Sequence, residues 1–175
     1  MAIDRIYIDS CCFIESITHK FNQNDAINKD RENDIWTLEK LFEASTAGEL
    51  TLITSYLTIA ECTHVKGIVD DEVKRLIKSI LESSRVIDLS QVTLGVAELA
   101  RDLLWIHGMK FSGADAVHVA SAIITECKEF LSFDRKKNKS PLAARANLKS
   151  SFGLSVIEPR NTQLLPQDYR QSTLL

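Results

Sequence analysis

No stretch of this 175-residue chain stays apolar over membrane-spanning length without charges, so a transmembrane protein is not expected. The start, MAIDRIYID, carries acid and base before its first apolar run and lacks the basic start and long apolar core of a secretory leader. Cysteine is scarce and unpaired. Cys11, Cys12, Cys62 and Cys127 lie inside apolar stretches without C-x-x-C spacing, which argues against a disulfide scaffold or zinc knuckle and for buried thiols in a reducing compartment. The expected location is the cytoplasm. An excess of one charge is also missing: a formal net charge of −3 gives no general attraction to nucleic acid or membrane, so a polyanionic substrate must be held locally. There is no repeat, low-complexity tract or convincing interdomain linker, and the length suits one well-buried core better than two.

What is present is an alternation of short β-rich runs with amphipathic stretches. Residues 3–8, 49–54, 85–89, 129–133 and 154–158 are strand-length and rich in Ile, Val, Leu or Phe. Between them, residues 33–47, 70–82, 91–107 and 112–125 read as helices, with Gly108 stopping the third. Strands separated by helices predict an α/β fold with a parallel sheet and helices on both faces. Residues 20–34 are expected to form a polar surface loop. The domain is expected over residues 1–158, with 159–175 a polar tail that is irregular or contacts a partner.

Four acids stand at the edges of apolar segments: Asp9 in RIYIDSCCFI, Glu61 in TSYLTIAEC, Asp115 in SGADAVHVASA and Asp134 in EFLSFDRKK. Asp9 and Asp134 end strands, and the carboxyl ends of parallel strands share one edge, where open α/β folds bind ligands. Glu61 falls in a helix after the second strand, and Asp115 in the first turn of the fourth helix. On that helix Asp115, His118, Ser121 and Thr125 form a polar stripe that suggests a cleft lining. Each acid also has a simpler explanation. Asp9 and Asp134 suit turns, Asp115 could complete a capping box with Ser112, and Thr58 allows the same for Glu61. Jointly the simpler account weakens, because carboxylates gathered 4 to 5 Å apart repel by about 3–4 kcal/mol at an effective dielectric of 20, which calls for cations.

These segments, I-D-S at Asp9, S-x-L-x-x-A-E at Glu61, A-D-A-x-H-x-A-S-A at Asp115 and F-L-S-F-D at Asp134, resemble the PIN domain, and in particular the small ribonucleases of the VapC toxin type. The resemblance runs from Ile6 to about Ile157. It implies a three-layer α/β/α sandwich around a mostly parallel five-stranded sheet, with Mg²⁺ or Mn²⁺ held by Asp9, Glu61, Asp115 and Asp134. By position it also assigns Ser10 and Ser132 to the catalytic group, while Cys11 departs from the Asn or Ser that relatives often carry. It implies an RNA substrate, a homodimer and a cognate antitoxin as partners.

Oxygen-only ligands, few in number, suit hard cations that keep waters and bind phosphate. The expected reaction is metal-dependent hydrolysis of RNA to 5′-phosphate and 3′-hydroxyl ends. Arg135, Lys136, Lys137 and Lys139, just beyond Asp134, are the expected RNA-binding residues. Two alternatives stand beside this: a catalytically silent PIN-like module that binds RNA or protein, and a di-iron carboxylate protein, since Glu61-x-x-His64 and Asp115-x-x-His118 each space an acid and a histidine one helical turn apart. Against the second, Asp9 and Asp134 end β-rich runs rather than helices. His118 is expected to serve helix packing or hydrogen bonding rather than metal ligation, and His64 to be peripheral.

Overall fold

The computed structural model describes residues 3–21, 29–62, 71–82, 86–135 and 138–170. Strands β1 (Arg5–Ile8), β2 (Thr51–Ser55), β3 (Asp88–Ser90), β4 (Glu129–Leu131) and β5 (Ser155–Ile157) form one sheet in the order β3-β2-β1-β4-β5. All four pairings are parallel. Alternation along central β1 divides the core in two. Ile6 and Ile8 join Leu52 and Leu131 on one face, and Tyr7 joins Ile53, Phe130 and Val156 on the other. Both faces are covered, which is why these strands read as nearly continuous apolar runs.

Helices α1 (Ser10–Phe21), α2 (Lys29–Thr46), α3 (Tyr56–Cys62) and α4 (Asp71–Glu82) cover the Ile6 face through residues such as Phe13, Leu38, Cys62 and Leu81. Helices α5 (Leu94–Trp105), α6 (Gly113–Ile124) and α7 (Arg145–Phe152) cover the Tyr7 face through Leu103, Val119 and Leu148. The result is the three-layer α/β/α sandwich. Gly108, at φ +62°, turns the chain after α5 as its position suggested.

Four stretches differ from the sequence expectation. The loop expected over 20–34 is shorter, because α1 reaches Phe21 and α2 already begins at Lys29; residues 22–28 lie outside the described set. The early start of α2 needs no apolar stripe. Asp30 and Glu32 occupy its first turn, where the helix dipole favours acids, and the Arg31 guanidinium lies 4.0 Å over the Phe133 ring. Helices α1 and α7 were not anticipated, the former because its residues are apolar on several sides and the latter because it buries only Leu148. Residues 159–170, expected as a polar tail, form two 3-10 turns, Pro159–Asn161 and Gln167–Tyr169. Arg160 binds the buried Asp34 of α2 through its backbone N–H (2.9 Å) and guanidinium (2.7 Å), Thr162 and the Gln163 N–H bind the buried Glu129, and Leu165 enters the core.

Candidate active site

Strand direction brings the acids toward one edge. Helix α6 runs against β1: the Arg5 guanidinium reaches the Thr125 carbonyl at the far end of the helix, and Tyr7 meets His118 nearer its start. The first turn of α6 therefore lies at the carboxyl edge of the sheet, with Asp9 after β1, residues 132–134 after β4, and α3 after β2.

Asp9 is 4% exposed, and its hydrogen bonds come from neutral donors. Ser132 Oγ donates to Oδ2 at 2.7 Å and Cys11 Sγ to the same oxygen at 3.2 Å, while Ser10 Oγ stands 3.5 Å from Oδ1. Cys11 Sγ in turn accepts the Phe133 N–H, so Cys11 ties the ends of β1 and β4 together. Burial raises the Asp9 pKa, the His118 charge and the Ser132 and Cys11 hydrogen bonds oppose that, and Asp115 adds to it; the net shift is upward.

Beside Asp9 runs a chain of three side chains. His118, 1% exposed, places Nε2 2.7 Å from Glu61 Oε2 and Nδ1 2.8 Å from the Tyr7 hydroxyl. Tyr7 is stacked on Phe130 at 5.1 Å, and burial followed by the Asp9 charge pushes its phenol well above its ordinary value. When His118 is neutral, the Tyr7 O–H donates to Nδ1, which leaves the proton on Nε2; when it is charged, both nitrogens donate. In either state Nε2–H points at Glu61. Desolvation alone would lower the His118 pKa, but the Glu61 hydrogen bond and the charges of Asp9, Glu61 and Asp115 outweigh it and raise the value. For Glu61, burial acts upward, yet the His118 and Ser10 hydrogen bonds and the His118 charge bring it below its usual value.

Asp115 forms the capping box: its Oδ2 accepts from Ser112 Oγ (2.7 Å) and N–H (3.0 Å), and the Ser112 hydroxyl accepts the Asp115 N–H (3.2 Å). Thr58 lies inside α3 with its hydroxyl 2.7 Å from that of Thr54, so it does not cap Glu61. Asp134 joins the group through its backbone N–H, which donates to Ser132 Oγ at 3.1 Å. The polar stripe on α6 faces the sheet more than a cleft. His118 and Ser121 are fully buried, Ser121 Oγ has no hydrogen-bond partner among the described residues, and Thr125 bonds back to the Ser121 carbonyl. Among the expected RNA-binding residues, Arg135 is ion-paired with Glu158 and Lys139 is exposed; Lys136 and Lys137, like His64, lie outside the described residues. Sequence reasoning missed Tyr7, although period-two alternation already places it on the Asp9 face.

Among the described residues no group of three or more His, Cys, Asp or Glu is gathered closely enough to cage a metal. A small hard cation such as Mg²⁺ or Mn²⁺ keeps several waters and is held through one or two carboxylates, whereas structural zinc takes four protein N or S ligands. Asp9, a buried carboxylate with only neutral hydrogen-bond donors, and the half-buried Glu61 carry oxygens that could hold such a cation.

The PIN domain family model matches residues 6–139, most of the chain, and the chain belongs to that family, whose members are generally metal-dependent nucleases. No curated protein matches it. Among solved structures, FitAcB from Neisseria gonorrhoeae is similar at 18% identity and a TM-score of 0.49, covering 90% of this chain and 99% of that one.

Proposed function

We propose that the protein is a divalent-metal-dependent endoribonuclease that hydrolyses RNA to 5′-phosphate and 3′-hydroxyl ends. The observation that carries this reading is Asp9, buried at the carboxyl edge and raised in pKa, beside the Glu61–His118 pair. A carboxylate so placed costs stability unless a positive charge completes its surroundings. Asp9, Glu61, Asp115 and Asp134 are the acids that would hold Mg²⁺ or Mn²⁺, which when bound supplies Lewis acidity toward a phosphodiester and a water made acidic enough to attack it. Ser132 orients Asp9, His118 and Tyr7 orient Glu61, and the Ser10 hydroxyl stands beside Asp9. Arg135, Lys136, Lys137 and Lys139 grip the RNA backbone beyond the reacting phosphate.

The VapC-like sequence segments support the further reading of a cytoplasmic toxin that pairs with an antitoxin and forms a homodimer, for which the exposed Leu94, Trp105 and Ile106 offer apolar surface. Incubation of a mixed RNA panel with purified protein and Mn²⁺ tests the central reading. Cleavage should occur, EDTA should stop it, and Asp9→Asn or Asp115→Asn should abolish it in folded protein. A wild type that binds RNA but cuts none of it, with both variants binding equally well, would replace this reading with the silent binding module.

A further inference from the structure

We propose that the pocket of about 350 Å³ lined by Arg135, Asn138, Ser140, Arg145 and Glu158 is a subsite for a backbone phosphate of single-stranded RNA beside the reacting one. This rests on the endoribonuclease reading. Its position follows from the sheet: the Ser132 N–H donates to the Ile157 carbonyl, so the segments leaving β4 and β5 lie side by side, and Arg135 closes onto Glu158 across them. The pocket thus opens on the carboxyl edge that carries Asp9 and Asp134. Helix α7, which contributes Arg145, packs on the same face of the sheet as α6.

Charge decides the kind of ligand. From residue 135 to 157 the chain holds six Lys or Arg and no Asp or Glu, although the whole protein is at −3. Glu158 is the one acid in the wall, and it is shared between Arg135 and Arg160. Arg145 has neither an ion pair nor a hydrogen bond for its guanidinium among the described residues, so a planar fork suited to phosphate faces solvent at the pocket. Arg145 also opens α7, and Ala144 at the cap makes no side-chain bond to the first-turn N–H groups, which adds the positive end of the helix. A larger cavity of about 720 Å³ lies against α2, but its charged lining residues are Glu39 and Glu43, the latter already paired with Lys40, so it offers an anion no cation.

The test is fluorescence anisotropy of a short labelled single-stranded oligoribonucleotide in EDTA, titrated over a range of salt, with cleavage by the wild type in Mn²⁺ measured separately. One phosphate contact on a single strand is worth about 0.7 in the slope of log affinity against log salt. Arg145→Ala should bind several-fold more weakly at low salt with a slope shallower by about 0.7, and Arg145→Lys should keep the wild-type slope. If Arg145→Ala matches the wild type in affinity and slope while the wild type still cleaves RNA, the subsite is wrong and the nuclease stands. If both variants weaken equally with an unchanged slope, the contact is not with phosphate and the proposal fails. A folded wild type that neither binds nor cuts RNA would overturn both readings.

Discussion

Asp34 and Asp9 are both almost fully buried, and burial raises the pKa of each, yet the chain surrounds them differently. Asp34, on α2, receives the Arg160 backbone N–H on one oxygen and its guanidinium on the other. Asp9, at the end of β1, receives two hydroxyls and a thiol, with the His118 ring as the positive charge that acts on it. The first arrangement completes itself inside the fold and fastens the 159–170 segment to the body. The second is short of positive charge, and a fold keeps such a group where something from outside completes it.

Substitutions that separate the two acids test this contrast. The largest expected effect is on chemistry: Asp9→Asn should lower Mn²⁺-dependent RNA cleavage about 10³-fold, since losing several kcal/mol of transition-state stabilisation costs a decade per 1.36 kcal/mol; single-turnover rates measure it. Next is the clamp. Arg160→Ala strands the Asp34 charge and should lower the unfolding free energy by about 3 kcal/mol in urea, with a far smaller effect on the cleavage rate of the folded fraction. Tyr7→Phe removes the bond that fixes His118, and should weaken Mn²⁺ binding about tenfold by electron paramagnetic resonance while costing about 1 kcal/mol of stability. An unchanged Mn²⁺ affinity would make Tyr7 a packing residue only.

The smallest effect is in the pH dependence of the clamp. The folded pKa of Asp34 is raised, so its contribution is fully present below the unfolded value of about 3.9 and is lost as pH rises through the folded value. Unfolding free energies of the wild type and Asp34→Asn should therefore shift against the wild type as pH rises from about 4 toward neutrality. A shift in the other direction would mean that Arg160, not burial, dominates Asp34.

The contrast also explains what could be read from the sequence. The five strands, the covered sheet and the strand-end positions of Asp9 and Asp134 were legible because short apolar runs and the acids that follow them are local patterns. The capping box at Ser112 and Asp115 was legible for the same reason, its partners being three residues apart. Asp34 was not, because its partner Arg160 is 126 residues away and both sit in polar stretches that read as loop and tail. The role of His118 as the link between Tyr7 and Glu61 needed the same long-range information, with separations of 111 and 57 residues. Local periodicity places a residue on a face; only packing chooses its partner.

The most direct test of the central claim is the urea unfolding midpoint of wild type and Asp9→Asn, each in EDTA and in saturating Mn²⁺. If Asp9 is a carboxylate awaiting a cation, the variant is at least as stable as the wild type in EDTA. Mn²⁺ at about a hundred times its Kd should then stabilise the wild type alone, by about 2.7 kcal/mol. A variant that is less stable than the wild type in EDTA, or that gains as much from Mn²⁺, would show that Asp9 serves the fold as Asp34 does and would contradict the account.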